Sequence, residues 1–463
     1  MTNQMAAAVA LAALFSSAIA GVISAEQLSD EVVSIQSRKV VFDGSMQSDT
    51  ALKSLVARGN ADVVPTLVLA LRYRPDDTGI LEAVAKLTGE AVSGWKEAML
   101  WQEAHPEVVP HVSYREIKLE ILRQIDPQFL RFLGGDLAKP ENLKIRLEEI
   151  TWGGVPVDGI PSLDDPELIP AAGASYLLDD DLVFGVEING DVRAYPLRIM
   201  GWHEMFNDTI GGMPVALAYC TLCGTGILFE TKVPGRDKPF VFGSSGLLYR
   251  SNKLMFDRQT DSLWNQFTGK PVTGPLRDSG IELKIRPVVI TSWANWKSHH
   301  PDTKVLSLNT GHKRDYGSGV VYREYFASPD LMFPAIVRDE KLLKRKDYVF
   351  GIRDVGAVKA WPIEAFRGHA VINDTIGNRN IVLIGDAMTR TVRAYERKEF
   401  TFNQSAKPNQ VTGPDGSWNI TESAIIGPRG TRLSRVPGHI SYWFAWDGYL
   451  GVDSDIYTAA TKN

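Results

Sequence analysis

The fold of this chain is decided by the stretch DLVFGVEINGDVRAYP, which runs from Asp181 to Pro196. Branched and aromatic residues alternate with polar ones on both sides of Asn189-Gly190, and Asn-Gly is the strongest two-residue signal for a β-hairpin turn. The stretch therefore predicts two antiparallel strands that flank this turn. Similar short runs rich in Val, Ile, Tyr, Phe and Trp continue from Ile150 to the end of the chain, so we expect this whole region to be β-rich.

The hairpin belongs to a duplicated segment. Residues 181–232 align without gaps on residues 347–398, and 18 of the 52 aligned positions are identical. The longest identical run is NDTIG, at 207–211 and again at 373–377. Because gapless identity of this length does not arise readily by chance, we interpret the region as two β-rich units of common origin that pack as a pseudo-symmetric pair.

The two copies differ at the side chains that can carry chemistry. His203 is retained in the second copy as His369, but its neighbours and both cysteines are not. The differing pairs are Trp202 and Gly368, Glu204 and Ala370, Cys220 and Asp386, and Cys223 and Thr389. We therefore expect the chemistry to lie in the first unit, with the second unit serving as scaffold or closing the site.

The chain has two cysteines, Cys220 and Cys223, in the sequence CTLCGTG between two apolar runs. Two cysteines exclude a scaffold that is held together by several disulfides. Gly224 and Gly226 disfavour a helix after the thiols, so the pattern predicts a strand, a tight turn and a second strand. Two thiolates on such a turn converge on one point, which is typical of a metal-binding knuckle.

A closed metal site needs about four ligands, so the two thiolates require partners. His203 is the leading candidate, Glu204 lies next to it, and His369 can serve if the two units face each other. Two thiolates and an imidazole form a soft ligand set that suits copper or zinc. We therefore predict a copper or zinc ion held by Cys220, Cys223 and His203, and we take these three residues and Glu204 as the candidates for a catalytic role.

Other roles for these residues are open. His203 can be a histidine that is hydrogen-bonded in the core, an interpretation that its retention in the copy without thiols favours. Cys220 and Cys223 can form a redox dithiol, with His203 or Glu204 as proton acceptor. In an oxidising compartment the cysteines can also form a strained structural disulfide, or they can have no chemical role.

The first unit contains a set of six motifs: WGGV at 152–155, DGIP at 158–161, RAYP at 193–196, WHE at 202–204, ND at 207–208 and YCTLCGTG at 219–226. Together they resemble the domain of unknown function 3179 family, which consists of exported bacterial and archaeal proteins. The resemblance covers roughly residues 150–449. Thr221 stands where many members are expected to have Pro, and a turn accepts either residue. The resemblance implies export and a site at these motifs, and it assigns no reaction.

The linker between the two units contains KRDYG at 313–317, with His312 beside it. These residues either reach over the site as a lid or are solvated, as charged residues of a linker commonly are. Trp pairs occur in both units, at 293/296 and at 443/446, and we therefore expect them to belong to the core rather than to a ligand site.

The region before the β-rich units has a helical pattern. Apolar residues recur at helical spacing between Leu52 and Gly135. Three helices are expected, at 63–73 with Pro65 in an early turn, at 78–89 with Thr78 as the capping residue, and at 114–125. We interpret this region as a scaffold or cap that also offers a surface for a protein partner.

The N-terminus is typical of a secretory signal. Residues 5–20 form an apolar run of small residues, and the segment up to Glu26 allows cleavage after Ala20 or Ala25. No Lys or Arg precedes the run, and the alternative is a retained membrane anchor, because residues 5–25 can just span a bilayer. We expect export to the periplasm or the extracellular space, with cleavage of the signal and no other membrane span.

Composition limits the classes of protein that this chain can belong to. Its 463 residues are 44% hydrophobic and 23% charged, which excludes wholesale disorder. The net charge is −5, with 50 basic and 55 acidic residues, so no basic field attracts nucleic acid. The length suits two or three domains.

These observations predict a mainly β protein, α+β overall, with two duplicated β-rich units after a small N-terminal helical region. The expected parts are a signal peptide at 1–25, a helical region at 26–140, a first unit with the CxxC at 150–310, a linker at 311–346 and a second unit without it at 347–463. The expected function is that of an exported protein that binds copper or zinc. The alternatives are an extracytoplasmic thiol–disulfide oxidoreductase and a non-catalytic interaction protein.

Overall fold

The computed structural model describes residues 28–338, 340–354, 356–368 and 370–458. The predicted signal segment at 1–25 and the alternative ligand His369 lie outside the described residues. Across the described part of the chain, no helix combines the length and the apolar character needed to cross a membrane. The fold is mainly β and α+β overall, with a helical region ahead of several sheets, as the sequence predicted.

The N-terminal region is built from α-helices joined by short turns. The predicted helices at 63–73 and 114–125 are present as the third and sixth of them, and Pro65 lies in the first turn of the third. The helices are α1 (Asp30–Phe42), α2 (Ser45–Arg58), α3 (Val64–Leu71), α4 (Thr78–Thr88), α5 (Trp95–Ala104), α6 (Ser113–Ile125) and α7 (Leu130–Leu133).

The predicted capping residue of α4 is wrong by one position. The cap is Asp77, whose carboxylate accepts a hydrogen bond of 3.1 Å from the backbone N–H of Ile80, and Thr78 is the first helical residue. A capping residue needs extended backbone, which Asp77 has, and a side-chain oxygen directed at the first turn. At the other end, Gly89 stops the helix as predicted, with a left-handed φ of 78°.

The first unit contains three five-stranded sheets. Their strand orders are β1-β9-β10-β11-β12, β13-β8-β7-β6-β2 and β14-β4-β5-β15-β3. The strands are β1 (Ile150–Trp152), β2 (Leu163–Asp164), β3 (Leu168–Pro170), β4 (Leu182–Ile188), β5 (Asp191–Pro196), β6 (Met205–Ile210), β7 (Met213–Cys220), β8 (Thr225–Glu230), β9 (Phe242–Tyr249), β10 (Asn252–Asp257), β11 (Leu263–Asn265), β12 (Lys270–Pro271), β13 (Lys284–Arg286), β14 (Val289–Ser292) and β15 (Lys304–Leu306), and the unit also holds the helices α8 (Leu197–His203) and α9 (Trp293–His299).

The hairpin that the Asn-Gly signal predicted is present. Strands β4 and β5 pair antiparallel, from Val183 opposite Pro196 to Ile188 opposite Asp191. Asn189 and Gly190 have φ values of 51° and 82°, and positive φ at both central residues is the requirement of the tight turn that Asn-Gly favours.

The second unit follows the linker, which contains the short helix α10 (Arg323–Ala327). It has a four-stranded sheet in the order β26-β16-β17-β27 and an eight-stranded sheet in the order β18-β19-β20-β25-β24-β23-β22-β21. Its elements are β16 (Tyr348–Asp354), β17 (Ala357–Pro362), β18 (Val371–Ile376), β19 (Arg379–Asp386), β20 (Thr391–Glu396), β21 (Asn403–Gln404), β22 (Gln410–Gly413), β23 (Gly416–Ile420), β24 (Ala424–Ile426), β25 (Arg432–Val436), β26 (His439–Tyr442), α11 (Trp443–Leu450) and β27 (Ser454–Ile456).

The duplicated segments have the same topology. Strands β4 to β8 of the first unit recur as β16 to β20 of the second, each at the sequence offset of the alignment. The outer pairings recur as well, because β14 and β26 run antiparallel to β4 and β16, and β15 and β27 run parallel to β5 and β17. The copies differ after β5, where α8 corresponds to a 3-10 turn at Ile363–Phe366.

Both units bury the same aromatic feature. Trp296 on α9 packs over Gly185 of β4, and Trp446 on α11 packs over Gly351 of β16. A methyl group at either glycine would overlap the indole ring, so only glycine permits this close approach. The Trp pairs are buried and belong to the core, as the sequence predicted.

The helical region and the two β-rich units share one cluster of the hydrophobic core. One cluster contains Val68 and Trp101 of the helical region, both cysteines of the first unit, and Trp446 of the second unit. The thiols therefore lie where the helical region and the two β-rich units meet.

Candidate functional site

Cys220 and Cys223 lie at the turn between β7 and β8. Cys220 ends β7 and pairs with Thr225 of β8, and Cys223 ends the single 3-10 turn between the strands. Gly224 follows with a φ of 60°, a left-handed conformation that glycine adopts without steric cost. The predicted strand, tight turn and strand are confirmed, and one turn holds both sulfurs.

The two sulfurs are 3.2 Å apart, and Cys220 and Cys223 are 1% and 0% exposed. A disulfide bond is about 2.0 Å long. Two zinc–sulfur bonds of about 2.3 Å at a tetrahedral angle place their sulfurs about 3.8 Å apart. The observed distance lies between these values and corresponds to a hydrogen-bonded dithiol. Formation of a disulfide would require the sulfurs to approach by about 1 Å.

Hydrogen bonds from the backbone and from one side-chain amide surround the sulfurs. The backbone N–H groups of Lys253 and Cys223 donate to Cys220. Asn252 Nδ2 donates to Cys223 Sγ at 3.4 Å, and the same sulfur lies 3.4 Å from the Ser251 carbonyl oxygen, to which its S–H can donate. Strand β10 and the turn before it thus supply most of the polar contacts of the dithiol.

These contacts make the two thiols unequal. Burial raises the pKa of the Cys220 thiol, but the hydrogen bond with Cys223 and the two backbone amides outweigh burial and leave this pKa below its usual value. Burial and the neighbouring Cys220 charge hold the pKa of the Cys223 thiol well above its usual value. Cys220 is therefore the sulfur that ionises first, with Cys223 as its hydrogen-bond donor.

Glu204 is the carboxylate of the site. Its Oε1 atom accepts hydrogen bonds from Thr221 Oγ1 at 2.6 Å and from Tyr322 OH at 3.3 Å. Its Oε2 atom forms a salt bridge of 3.2 Å with Lys253 Nζ, and both side chains of this pair are buried. The negative charge of Glu204 raises the pKa of the Cys220 thiol.

The backbone of Glu204 is strained. The residue ends α8 with a φ of 53°, a left-handed conformation that is costly for a residue with a side chain. This conformation directs the chain from α8 into β6, so that Tyr219 of β7 donates its backbone N–H to the Glu204 carbonyl oxygen at 2.8 Å. The strain therefore places Glu204 beside the strand that ends at Cys220.

Sequence reasoning missed Lys253 and Tyr322, the partners of Glu204. A usable signal for Lys253 exists, because the residue interrupts the run NKLMFD at 252–257, in which every residue is buried. A lysine in a fully buried strand requires a charged partner. No comparable signal exists for Tyr322, since it lies in the linker.

His203 is fully buried and hydrogen-bonded at both ring nitrogens. Nδ1 lies 2.9 Å from the Pro161 carbonyl oxygen, and Nε2 lies 2.7 Å from Tyr316 OH. Burial lowers the pKa of His203 to about 4, so the ring is neutral at physiological pH. In a neutral ring Nδ1–H donates to Pro161 and Nε2 accepts from Tyr316.

The linker contacts this part of the first unit. Tyr316 OH also forms a hydrogen bond of 2.6 Å with Thr310 Oγ1, and the Asp315 carbonyl oxygen accepts a hydrogen bond of 2.7 Å from Trp202 Nε1. Of the segment 313–317, Tyr316 and the Asp315 backbone contact the first unit, whereas the charged side chains of Lys313, Arg314 and Asp315 are exposed, as in the interpretation of a solvated linker. His203 and Trp202 are its anchoring points.

Helix α10 of the linker covers the thiols themselves. Tyr325 OH donates to the carbonyl oxygen of Leu222, between the two cysteines, at 2.6 Å. Lys346 Nζ holds the helix from outside, with hydrogen bonds of 2.6 Å to the Tyr325 carbonyl oxygen and 2.8 Å to that of Ser328. Burial and the nearby sulfurs raise the pKa of the Tyr325 hydroxyl, which stays protonated and able to donate.

The predicted metal ligands do not form a complete site in this arrangement. Among the described residues, no group of three or more His, Cys, Asp or Glu side chains is placed to hold a metal ion. Both nitrogens of His203 already have protein partners, so the ring would have to leave Tyr316 or Pro161 in order to bind an ion. The ligand set of Cys220, Cys223 and His203 therefore stays a prediction.

Comparison with known proteins gives one match. A family model with the description "Protein of unknown function (DUF3179)" matches residues 157–452. No curated protein and no solved structure matches the chain. The matched range contains the four candidate residues and most of both β-rich units, and it begins after the helical region. The family resemblance that the motifs carried is confirmed.

Proposed function

Because the chain belongs to the DUF3179 family, whose description assigns no activity, we propose a function from the site itself: an exported thiol–disulfide redox protein that cycles between a Cys220–Cys223 dithiol and a disulfide. The observation that carries the proposal is the pair of sulfurs 3.2 Å apart on one turn. The export that we expect from the sequence suits this function, because dithiol exchange proteins act where disulfides form and persist.

The unequal thiols support a defined order of steps. The Cys220 thiolate attacks a disulfide of the substrate, a mixed disulfide forms, and one substrate sulfur leaves as a thiolate that takes up a proton. The Cys223 sulfur, after loss of its proton, then attacks Cys220 and releases the second substrate sulfur. The protein loses two electrons and two protons in total, and the substrate disulfide becomes two thiols.

The Glu204 carboxylate is the proton acceptor that we assign to the second step. It acts electrostatically on both sulfurs and is hydrogen-bonded to Thr221, the residue directly after Cys220. Lys253 stabilises the carboxylate before it accepts the proton. We assign His203 no part in this step, since its two ring nitrogens are hydrogen-bonded to the Pro161 carbonyl oxygen and to Tyr316 OH.

The buried position of the sulfurs requires an opening step. Helix α10 shields them through the Tyr325 hydrogen bond to Leu222, and Tyr322, directly before the helix, is hydrogen-bonded to Glu204. A substrate disulfide can reach Cys220 only after this helix moves away. The site is therefore selective for partners that can displace α10, and the helical region next to it offers a surface for such a partner.

A second candidate function is soft-metal binding. The observation that favours it is the knuckle-like turn, with two cysteines on one 3-10 turn and a left-handed Gly224 after them. In this alternative Cys220 and Cys223 hold copper or zinc as thiolates, and His203 joins them after releasing Tyr316. Both functions use the same sulfurs, so one experiment separates them.

The experiment is a redox titration with metal analysis on the same preparation of full-length protein. Glutathione buffers of graded potential set the redox state, alkylation followed by mass spectrometry counts free thiols, and elemental analysis measures copper and zinc. We expect a reversible disulfide between Cys220 and Cys223 and less than about one tenth of an equivalent of metal. About one equivalent of metal that disappears in the Cys220→Ser/Cys223→Ser variant would replace the redox function with the second candidate.

A further inference from the structure

A large cavity with a mixed polar and apolar lining lies between the two units, apart from the thiol site. Its volume is about 1230 Å³. One wall includes Asn295 and His299 of α9 in the first unit and His300 directly after this helix. The other wall is formed by the eight-stranded sheet of the second unit. None of the four candidate residues of the thiol site lines it.

The cavity lies at the position in the second unit that corresponds to the turn with the two thiols in the first unit. Asp386 and Thr389, which occupy the aligned positions of Cys220 and Cys223, both line it. The strand pairing is equivalent too, because Asp386 lies opposite Thr391 in the second unit as Cys220 lies opposite Thr225 in the first. The duplication has therefore produced two sites at one position of the fold, with different chemistry.

The same sheet face is closed in one unit and open in the other. In the first unit Met205, Ala218 and Ile227 are fully buried beneath Trp264 and its neighbours. Their aligned counterparts line the cavity: Val371, Ile384 and Arg393. An arginine in the place of a core isoleucine shows that this face of the second unit is built for polar contacts.

The charged groups of the cavity compensate one another. Glu422 forms salt bridges with Arg393 and, at 3.0 Å, with Arg435, and His300 Nε2 lies 3.8 Å from the same carboxylate. Arg393 and Lys407 in the lining face a similar number of carboxylates, so the cavity presents no strong excess charge. A ligand with a large net charge would therefore gain little electrostatic binding energy in this cavity.

Neutral hydrogen-bonding groups make up much of the remaining wall. They include the hydroxyls of Thr389, Thr391 and Thr421 and the amides of Asn295, Gln404 and Gln410. Within the described chain, the buried Oε1 atom of Gln410 has no hydrogen-bond partner. The Nε2 atom of the same amide donates a hydrogen bond of 3.0 Å to Asn419 Oδ1.

We propose that this cavity binds a neutral oligosaccharide. Sugar hydroxyls both donate and accept, which matches a wall of amides, hydroxyls and a guanidinium–carboxylate pair, and the C–H faces of sugar rings can pack on Val371, Ile384 and Ile420 between these groups. The volume exceeds the roughly 300–1,000 Å³ of sites for drug-sized molecules, which favours several linked sugars over one. This binding site lies beyond the proposed redox function and does not depend on it.

The test is binding to an array of neutral hexasaccharides, including those of β-linked glucose, α-linked glucose and N-acetylglucosamine, with calorimetry on the best ligand. Thr389→Val and Gln410→Leu should each weaken binding at least tenfold, because each removes a hydrogen-bonding group from the wall. Arg429→Met is the matched control, since this side chain is 80% exposed on the same unit and outside the cavity, and it should bind like the wild type.

Thermal melting of each variant shows that it is folded, so that a loss of binding reports on the cavity. Absence of binding to every hexasaccharide of the array would overturn the proposal. Binding that survives both cavity variants would overturn it as well, and so would a preference for charged polyuronates or for peptides.

Discussion

Thr221 Oγ1 donates a hydrogen bond of 2.6 Å to Glu204 Oε1 and thereby joins the carboxylate to the turn that carries both thiols. Thr221 is fully buried and lies directly after Cys220. A carboxylate in this position opposes ionisation of the thiol, whereas the backbone amides favour it. The reactivity of Cys220 is thus set by two opposing influences that can be separated by mutation.

Glu204→Gln should lower the pKa of the Cys220 thiol, because the variant removes the negative charge that raises it. The measurement is the pH dependence of thiolate absorbance in the ultraviolet. The variant also leaves Lys253 buried without its partner, which should lower the free energy of unfolding by about 3–5 kcal/mol. Glu230→Gln is the control at a more exposed ion pair. An unchanged titration would show that Glu204 has no influence on the dithiol.

Cys223→Ala should raise the pKa of the Cys220 thiol, since it removes the hydrogen bond that lowers this pKa. The reciprocal variant Cys220→Ala leaves Cys223, which should still ionise above the usual thiol range because it stays buried. The same absorbance titration measures the thiol pKa in each of the two variants. If Cys223 ionised first in the wild type, the order of exchange steps would be reversed.

Tyr325→Phe should expose the thiols, because it removes the hydrogen bond that holds α10 to Leu222. One hydrogen bond contributes about 1 kcal/mol, so alkylation of Cys220 under native conditions should be about fivefold faster. Glu324→Gln on the same helix is the control, since this side chain is exposed and should leave the rate unchanged. Equal rates for Tyr325→Phe and the wild type would mean that α10 is not the barrier.

Acidification should destabilise the fold through His203. Its pKa is about 4 in the folded protein and about 6.5 in an unfolded chain. As the pH falls from about 6.5 to about 4, the unfolded chain binds a proton that the folded protein does not, and up to about 3 kcal/mol of stability is lost. His439, with a pKa that burial lowers to about 3, acts in the same direction.

Urea unfolding at pH 7.5 and pH 5 measures this effect. His203→Asn should be less stable than the wild type at pH 7.5, because the ring loses its contacts to Pro161 and Tyr316. Its additional loss at pH 5 should be smaller, since the titrating group is gone. An identical pH dependence in the two proteins would remove His203 as a source of acid sensitivity.

Gly185→Ala and Gly351→Ala should destabilise the two units in the same way, because each added methyl overlaps the indole ring packed on the glycine. Overpacking of a core costs about 1–3 kcal/mol. Gly173→Ala is the control, since its nearest neighbour would lie 3.7 Å from the new methyl. Thermal unfolding that is insensitive to both core substitutions would contradict the equivalent packing of the two units.

Local sequence was sufficient to predict the elements that depend on neighbouring residues. Asn189-Gly190 specified the turn of the β4–β5 hairpin, and the glycines after Cys223 specified a strand after the thiols instead of a helix. The duplication predicted the same strands in the second unit, because similar local sequence forms the same secondary structure. The error at the cap of α4, which is Asp77 and not Thr78, also concerns neighbouring residues only.

The tertiary structure alone decided which groups surround the thiols. Lys253 reaches Glu204 across 49 positions of sequence, and Tyr322 reaches it across 118. His203 meets Tyr316 across 113 positions, which no local periodicity can encode. The second unit was expected to be scaffold or to close the site, yet its open sheet face forms one wall of a large cavity. These features depend on how separate elements pack, and packing is a property of the whole chain.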